Sequence, residues 1–161
     1  VPENEEIARI GVATTTSPKP YYERFLETRL NHNGLKPDVA GVIRFGVMKD
    51  TVADRIMLVG DAASMVKPLS GGGITYGLIG AQVCTDAADK ALEENRFDYH
   101  FLKENYDSEW KKKLVPGLNK GMFFRKMLYL LPDYQMNLLF KMVKLFGYKI
   151  LNKFDFDLLS G

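Results

Sequence analysis

The sequence predicts an α/β protein in which a partial sheet of a few strands is followed by a helical region. Three observations predict it. The run RIMLVG, Arg55 to Gly60, is almost continuously apolar and of strand length, which suits a strand buried on both faces of a parallel sheet. From Ile74 onward the apolar spacing is helical nearly to the end. After Arg96 the composition turns basic and aromatic, which divides the chain into a sheet region, 1–96, and a helical region, 97–161.

The elements follow in order. IARIGVATTT, Ile7 to Thr16, is rich in β-branched residues and bounded by SPKP, so it reads as a strand and a turn. YYERFLETRLN then places Tyr22, Phe25, Leu26 and Leu30 at helical spacing, with Asn33-Gly34 as a stop. AGVIRFGVM, Ala40 to Met48, reads as a second short strand, and RIMLVG follows it. The first long helix is expected from about Ile74 to about Glu94. Beyond Arg96, YHFLKENYDSEWKKKL forms one helix, GMFFRKMLYLL another, and Pro132-Asp133 opens a third, YQMNLLFKMVKLFGYKIL.

Composition sets the limits. With 161 residues and 46% apolar content the chain can bury a sizeable core. The net charge of +2 excludes little, but its distribution is uneven: Lys111 to Lys153 holds ten Lys or Arg against one acid, Asp133. Every apolar run there is interrupted by charge or proline before the ~18 to 20 residues that a membrane span requires. The single cysteine, Cys84, fits a reducing compartment, and cytoplasm is the expected location. The acidic start VPENEEIARI has no apolar signal region and no initiating methionine, and reads as sequence from within a longer protein.

The segment from Arg55 to Gly77, RIMLVGDAASMVKPLSGGGITYG, carries the chemistry. A strand ending in Gly60-Asp61 presents a carboxylate at its carboxyl end, where open α/β folds bind ligands, and an acid there suits a ribose or polyol hydroxyl. Pro68 stiffens the connection. Gly71, Gly72 and Gly73 remove every Cβ from the approach to the helix that starts at Ile74, so a ligand can lie against bare backbone. The helix N-terminus favours anionic or carbonyl oxygens. Gly77, Gly80 and Ala81 keep one helix face small for close packing onto the sheet. A lone triple glycine is commonly a flexible loop, but strand, Gly-Asp, proline loop, triple glycine and small-residue helix together are specific. No Gly-Lys-Ser/Thr follows, so this is not a nucleotide P-loop. Nor is it a G-x-G-x-x-G fingerprint, because the sixth position is Tyr76.

Leu58 to Gly77, LVGDAASMVKPLSGGGITYG, closely resembles the second flavin-binding motif of the geranylgeranyl reductase family, within the flavoproteins shaped like aromatic hydroxylases. The resemblance implies an FAD-dependent oxidoreductase that reduces isoprenoid double bonds of lipids or their precursors. It makes the partial sheet an FAD-binding one and the chain the C-terminal part of the enzyme. By that resemblance Asp61 binds the ribityl chain, the backbone from Gly71 to Ile74 passes the isoalloxazine ring, and Gly60 and Pro68 shape the site. Ser64 stands where the family usually has Gly, Leu69-Ser70 where Thr-Thr is frequent, and Arg44-Phe45 where a proline is usual. The first flavin motif, the G-x-G-x-x-G βαβ unit, is not in these residues, so this chain alone is expected to bind FAD weakly and to be inactive.

No side chain stands out as a proton donor, and the catalytic residue is left unassigned. His32 and His100 lack metal-ligand spacing and read as solvated, with no metal expected. Cys84 reads as a small buried hydrophobe, and Trp110 with Tyr99, Leu102 and Tyr106 as core. The run EWKKKL reads as a solvated face, with nucleic acid not expected. The basic, aromatic C-terminal helices have two readings that periodicity leaves open: core helices with lysines in water, or a peripheral contact with a membrane surface. Two alternatives to the reductase stand: another flavoprotein of the same group, a monooxygenase or electron-transfer oxidoreductase, and a non-enzymatic lipid-binding helical module.

Overall fold

Pro20 presets the backbone at the start of the first helix, α1 (Lys19–Phe25), where its missing N–H is not needed. The helix continues as a wider π turn over Leu26–Leu30, in which Leu26 is buried. These elements lie in the first of two compact units, Val1–Gly41 and Val42–Gly161, of a computed structural model that describes residues 2–30 and 39–146. The strand expected over Ile7 to Thr16 does not form. In its place a single bridge joins Pro2 to Ala8, around an Asn4 side chain that accepts from the Glu6 and Ile7 amides. Alternating β-branched residues specify a strand only when a second strand pairs with them, and none does among the described residues of this unit. The helix stop at Asn33-Gly34 and His32 lie outside the described residues.

Ala40 to Met48, expected as a strand, is irregular. A two-residue turn at Asp54-Arg55, with Arg55 left-handed at φ 62°, joins β1 (Val52–Ala53) to β2 (Ile56–Met57) as an antiparallel hairpin. The RIMLVG run therefore differs from expectation. It is half of a short antiparallel pair, and Ile56 is exposed rather than covered on both faces. An apolar run signals burial, but which side is covered depends on partners outside the run.

Helix α2 (Ile74–Glu94) has the predicted bounds. Tyr76, Gly80, Val83, Ala87 and Ala91 recur every three or four residues and form its buried stripe. Asn95 ends it in a left-handed cap, and Asp98 then caps α3 (Tyr99–Leu102) by accepting from the Phe101 amide at 3.0 Å. A π segment, Lys103–Asp107, leads into α4 (Ser108–Leu130). Its wider turn brings both Tyr106 and Asp107 inside, ahead of Trp110, Leu114 and Leu118. Two separate helices were expected between Tyr99 and Leu131; the second of them is instead continuous with α4, which runs through Pro116. A proline inside a helix costs about 3 kcal/mol, and fully burying Leu114 and Leu118 on either side offsets it at roughly 1.5 to 3 kcal/mol each. Helix α5 (Asp133–Phe146) begins where Pro132-Asp133 predicts. No described helix is long and apolar enough to cross a membrane.

One core joins the hairpin, α2, α3 and α4 across residue 96, with Trp110, Tyr106 and Tyr76 as its largest fully buried side chains. A buried polar cluster pins the hairpin to these helices. The Asp107 carboxylate accepts from the Thr51 amide (3.0 Å), the Thr51 hydroxyl (2.7 Å), Lys111 (2.7 Å) and Lys103 (3.0 Å). The Trp110 indole N–H donates to the same Thr51 hydroxyl at 2.8 Å, and the Tyr106 hydroxyl donates to the Leu58 carbonyl. Burial acts to raise the Asp107 pKa, yet the bonds from Lys111, Thr51 and Lys103 hold it below the ordinary carboxylate value.

Candidate flavin-binding site

After β2 the chain turns abruptly. Gly60 takes a left-handed conformation, φ 66°, and opens a 3-10 turn, Gly60–Ala63, closed by Ser64 at φ 58°. The Met65 amide donates to the Gly60 carbonyl at 3.0 Å. Ser64 is thus a β-carbon-bearing residue held where glycine would be unstrained. Ala63, Ser64, Met65 and Val66 are buried, so the turn is anchored while Asp61 remains exposed.

The glycines then fold back on this turn. The Lys67 amide donates to the Gly72 carbonyl (3.0 Å) and the Gly71 amide to the Lys67 carbonyl (2.9 Å), which closes a tight loop around Pro68 with Gly71 at φ 72°. Gly73 is the N-cap of α2 and carries no side-chain cap. The carboxylate of Asp61 occupies the space a Gly73 β-carbon would need, with Asp61 Cγ 3.4 Å from that position. Further along α2, a β-carbon on Gly77 would lie 3.6 Å from the Gly60 Cα, and one on Gly80 would overlap the Met65 thioether. The small face of α2 therefore packs on the Gly60 turn and Met65, with Val59 beside them, rather than on a broad sheet. Ala81 is not part of that face; it is exposed.

Asp61 and Gly73, twelve positions apart in sequence, are thus adjacent, with Gly60, Gly71, Gly72 and Ile74 around them. Ile74 is 82% exposed and Leu78 67%, so an open apolar strip on α2 adjoins the exposed carboxylate. Open space lies where β-carbons of Gly60 and Gly71 would be. A negative charge already at the positive end of α2 favours hydroxyl donors there over a second anion. This refines the expectation that the glycine amides attract anionic oxygens.

Pro68, expected as a loop stiffener, is buried, and its support was not read from the sequence. Gly121 of α4 lets that helix approach the Pro68 ring, since a β-carbon there would meet the ring at 3.0 to 3.4 Å. One turn on, Arg125 donates to the Pro68 carbonyl at 2.7 Å. Only the four-residue spacing of Gly121 and Arg125 hints at this in the sequence. Elsewhere, Trp110, Leu102 and Tyr106 are core, His100 is exposed, and burial pushes the half-buried Cys84 thiol up, away from nucleophilic use.

Comparison with known proteins is consistent along most of the chain. It is 32% identical over 146 residues, 87% of this chain and 37% of the relative, to digeranylgeranylglycerophospholipid reductase 2 of Methanothermobacter thermautotrophicus. It is 31% identical over 143 residues, 83% of this chain and 36% of the relative, to the digeranylgeranylglycerophospholipid reductase of Methanocaldococcus jannaschii. Against digeranylgeranylglycerophospholipid reductase 1 of Methanosphaera stadtmanae it is 26% identical over 163 residues, 96% of this chain and 40% of the relative. The chain spans 36 to 40% of the length of these curated relatives. No family model matches it, and no solved structure does. The relatives bear out the resemblance to the geranylgeranyl reductase family read from Leu58 to Gly77.

Proposed function

We propose that this chain, a relative of the digeranylgeranylglycerophospholipid reductases, is the C-terminal part of an FAD-dependent reductase acting on isoprenoid double bonds of a lipid or lipid precursor. The observation that carries the reading is the Asp61 carboxylate seated against Gly73 at the start of α2, inside the segment that resembles a flavin motif. The residues fit the cofactor: space is open where β-carbons of Gly60 and Gly71 would stand, and the exposed Asp61 carboxylate beside Gly73 is placed to accept from hydroxyls. Bound flavin supplies the hydride chemistry that saturates an alkene.

The chain's own residues hold and orient. Asp61 accepts hydrogen bonds from the polyol hydroxyls of the ribityl chain. The bare backbone from Gly71 would let a flat ring approach the Gly72-Gly73 turn on the side Asp61 leaves free, Pro68 and Gly60 shape the turn behind it, and Ile74 and Leu78 offer apolar surface. The pyrophosphate-binding βαβ unit, which these residues lack, completes the site. Flavin retention tests the reading. In the protein that includes both halves, Asp61→Ala removes a charge-assisted hydrogen bond worth roughly 1.5–3 kcal/mol, so FAD affinity falls about 10- to 100-fold. Full flavin content in Asp61→Ala and in Gly72→Val would overturn it.

A peripheral lipid contact is a second reading, favoured by one observation. Phe123, Met127, Leu130, Tyr134, Leu138 and Leu145 are exposed on the second half of α4 and on α5, among exposed Lys120, Lys126, Lys141 and Lys144. On α5, Lys141 and Lys144 fall in one narrow wedge, and the rest of the circumference is mainly apolar. Each lysine near an anionic leaflet contributes about 1 kcal/mol. Cosedimentation with anionic vesicles that weakens in high salt supports the contact; equal indifference to anionic and neutral vesicles refutes it.

A further inference from the structure

Arg125 is more constrained than a surface arginine. Its guanidinium lies 4.0 Å from the centre of the Phe45 ring and 4.9 Å from that of Tyr129. One terminal nitrogen donates to the Pro68 carbonyl at 2.7 Å, and the other donates to the Tyr129 hydroxyl at 3.1 Å. Two rings this close confine the group, and a planar fork held in place loses little freedom on making its hydrogen bonds. The bond it makes is to the residue just after Lys67, whose own amide and carbonyl close the glycine loop onto Gly72 and Gly71. Gly121, one turn earlier on α4, abuts the Pro68 ring, so backbone and side chain of α4 grip the same proline from adjacent positions.

We propose that Arg125 is a positioning residue for the flavin site: by clamping the Pro68 carbonyl it holds the loop from Lys67 to Gly73 in the shape that sets Gly73 against Asp61. This deepens the flavin reading and rests on it for its functional meaning. It assigns a role to Phe45 as well, which forms one wall of the clamp and lies in a segment with no regular secondary structure. A lysine cannot replace the arginine, because an ammonium neither stacks as a plane nor forks between two acceptors.

Two readouts test it, the first independent of flavin. In Arg125→Ala and Arg125→Lys, amide exchange at Lys67 and Gly71, whose protons bridge the loop, should quicken at least about tenfold, while amides of Val83 to Ala91 in α2 keep wild-type protection. Phe45→Leu should show a smaller increase in the same two amides. In the protein carrying both halves of the site, the Arg125 variants should bind FAD about tenfold more weakly, with altered flavin absorption bands. Unchanged exchange at Lys67 and Gly71 overturns the clamp. Quickened exchange with wild-type FAD affinity and spectrum overturns its role toward the cofactor. If the unsubstituted two-half protein binds no FAD, the flavin reading fails by itself, and the exchange experiment still decides whether Arg125 holds the loop.

Discussion

Asp107→Ala is expected to damage this fold through the loss of a single buried acceptor. The carboxylate is buried and accepts four hydrogen bonds at 2.7 to 3.0 Å, two of them from Thr51. Removing it leaves the buried Thr51 amide with no acceptor, about 1–3 kcal/mol, and the Thr51 hydroxyl proton with none, about 1 kcal/mol more. Lys103 and Lys111 keep partial access to water, so their loss is smaller. The expected total is about 3 kcal/mol, within the range for breaking a buried charge pair and a large share of a stability of about 5–15 kcal/mol. Asp107→Asn keeps an acceptor for Thr51 and loses the charge, so about half that is expected. Urea denaturation followed by tryptophan fluorescence measures both, because the sole tryptophan, Trp110, bonds to the same Thr51 hydroxyl. The pH dependence has a definite sign. The folded pKa of Asp107 lies below its ordinary value of 3.8, so its contribution is present above the unfolded pKa and is lost as pH falls through the folded one. The wild-type advantage over Asp107→Asn should therefore be full near pH 7 and shrink below about pH 4. An unfolding free energy for Asp107→Ala within about 1 kcal/mol of wild type, or an advantage that grows on acidification, would refute the reasoning.

The remaining expectations concern the turn and the glycines. Gly73→Ala puts a methyl into the Asp61 carboxylate, whereas Gly72→Ala meets the Ser70 hydroxyl only at 3.4 Å. FAD titration of the two-half protein should thus show Gly73→Ala impaired about as much as Asp61→Ala, and Gly72→Ala far less. Ser64→Gly relieves a left-handed conformation worth about 1–2 kcal/mol, offset by about 0.5–1 kcal/mol of extra chain entropy. A net gain of roughly 0.5–1 kcal/mol in urea denaturation is expected. Gly80→Ala drives a methyl into the buried Met65 thioether and should cost about 1–3 kcal/mol by overpacking, read as a lower urea midpoint.

The helices were legible because their information is local. The spacing of Tyr76, Gly80, Val83, Ala87 and Ala91 specifies one face of a helix with no knowledge of what covers it, and Asn95 and Asp98 mark its end and the next start. Gly60, Asp61 and the triple glycine were legible as a composite for a similar reason, since left-handed φ values at Gly60 and Gly71 favour glycine wherever the chain goes next. Strands were not. Ile7 to Thr16 and Ala40 to Met48 carry the β-branched residues of strands, but a strand exists only through hydrogen bonds to another, and residue composition does not name the partner. The break expected before Gly121 fails for the same reason: Pro116 weakens a helix locally, and the burial of Leu114 and Leu118 that sustains it is tertiary.

The sequence by itself determined the α2 register, the glycine-rich turn after β2 and the kinship with reductases of geranylgeranyl lipids. Tertiary structure alone decided that the Asp61 carboxylate sits on Gly73, that Asp107 is a buried acceptor rather than one more charge in a polar helix, and that Arg125 reaches back 57 positions to Pro68. The physical reason is range. Backbone conformation and helical periodicity act over a few residues and are written in them, whereas a hydrogen bond across the fold depends on where two distant segments come to rest.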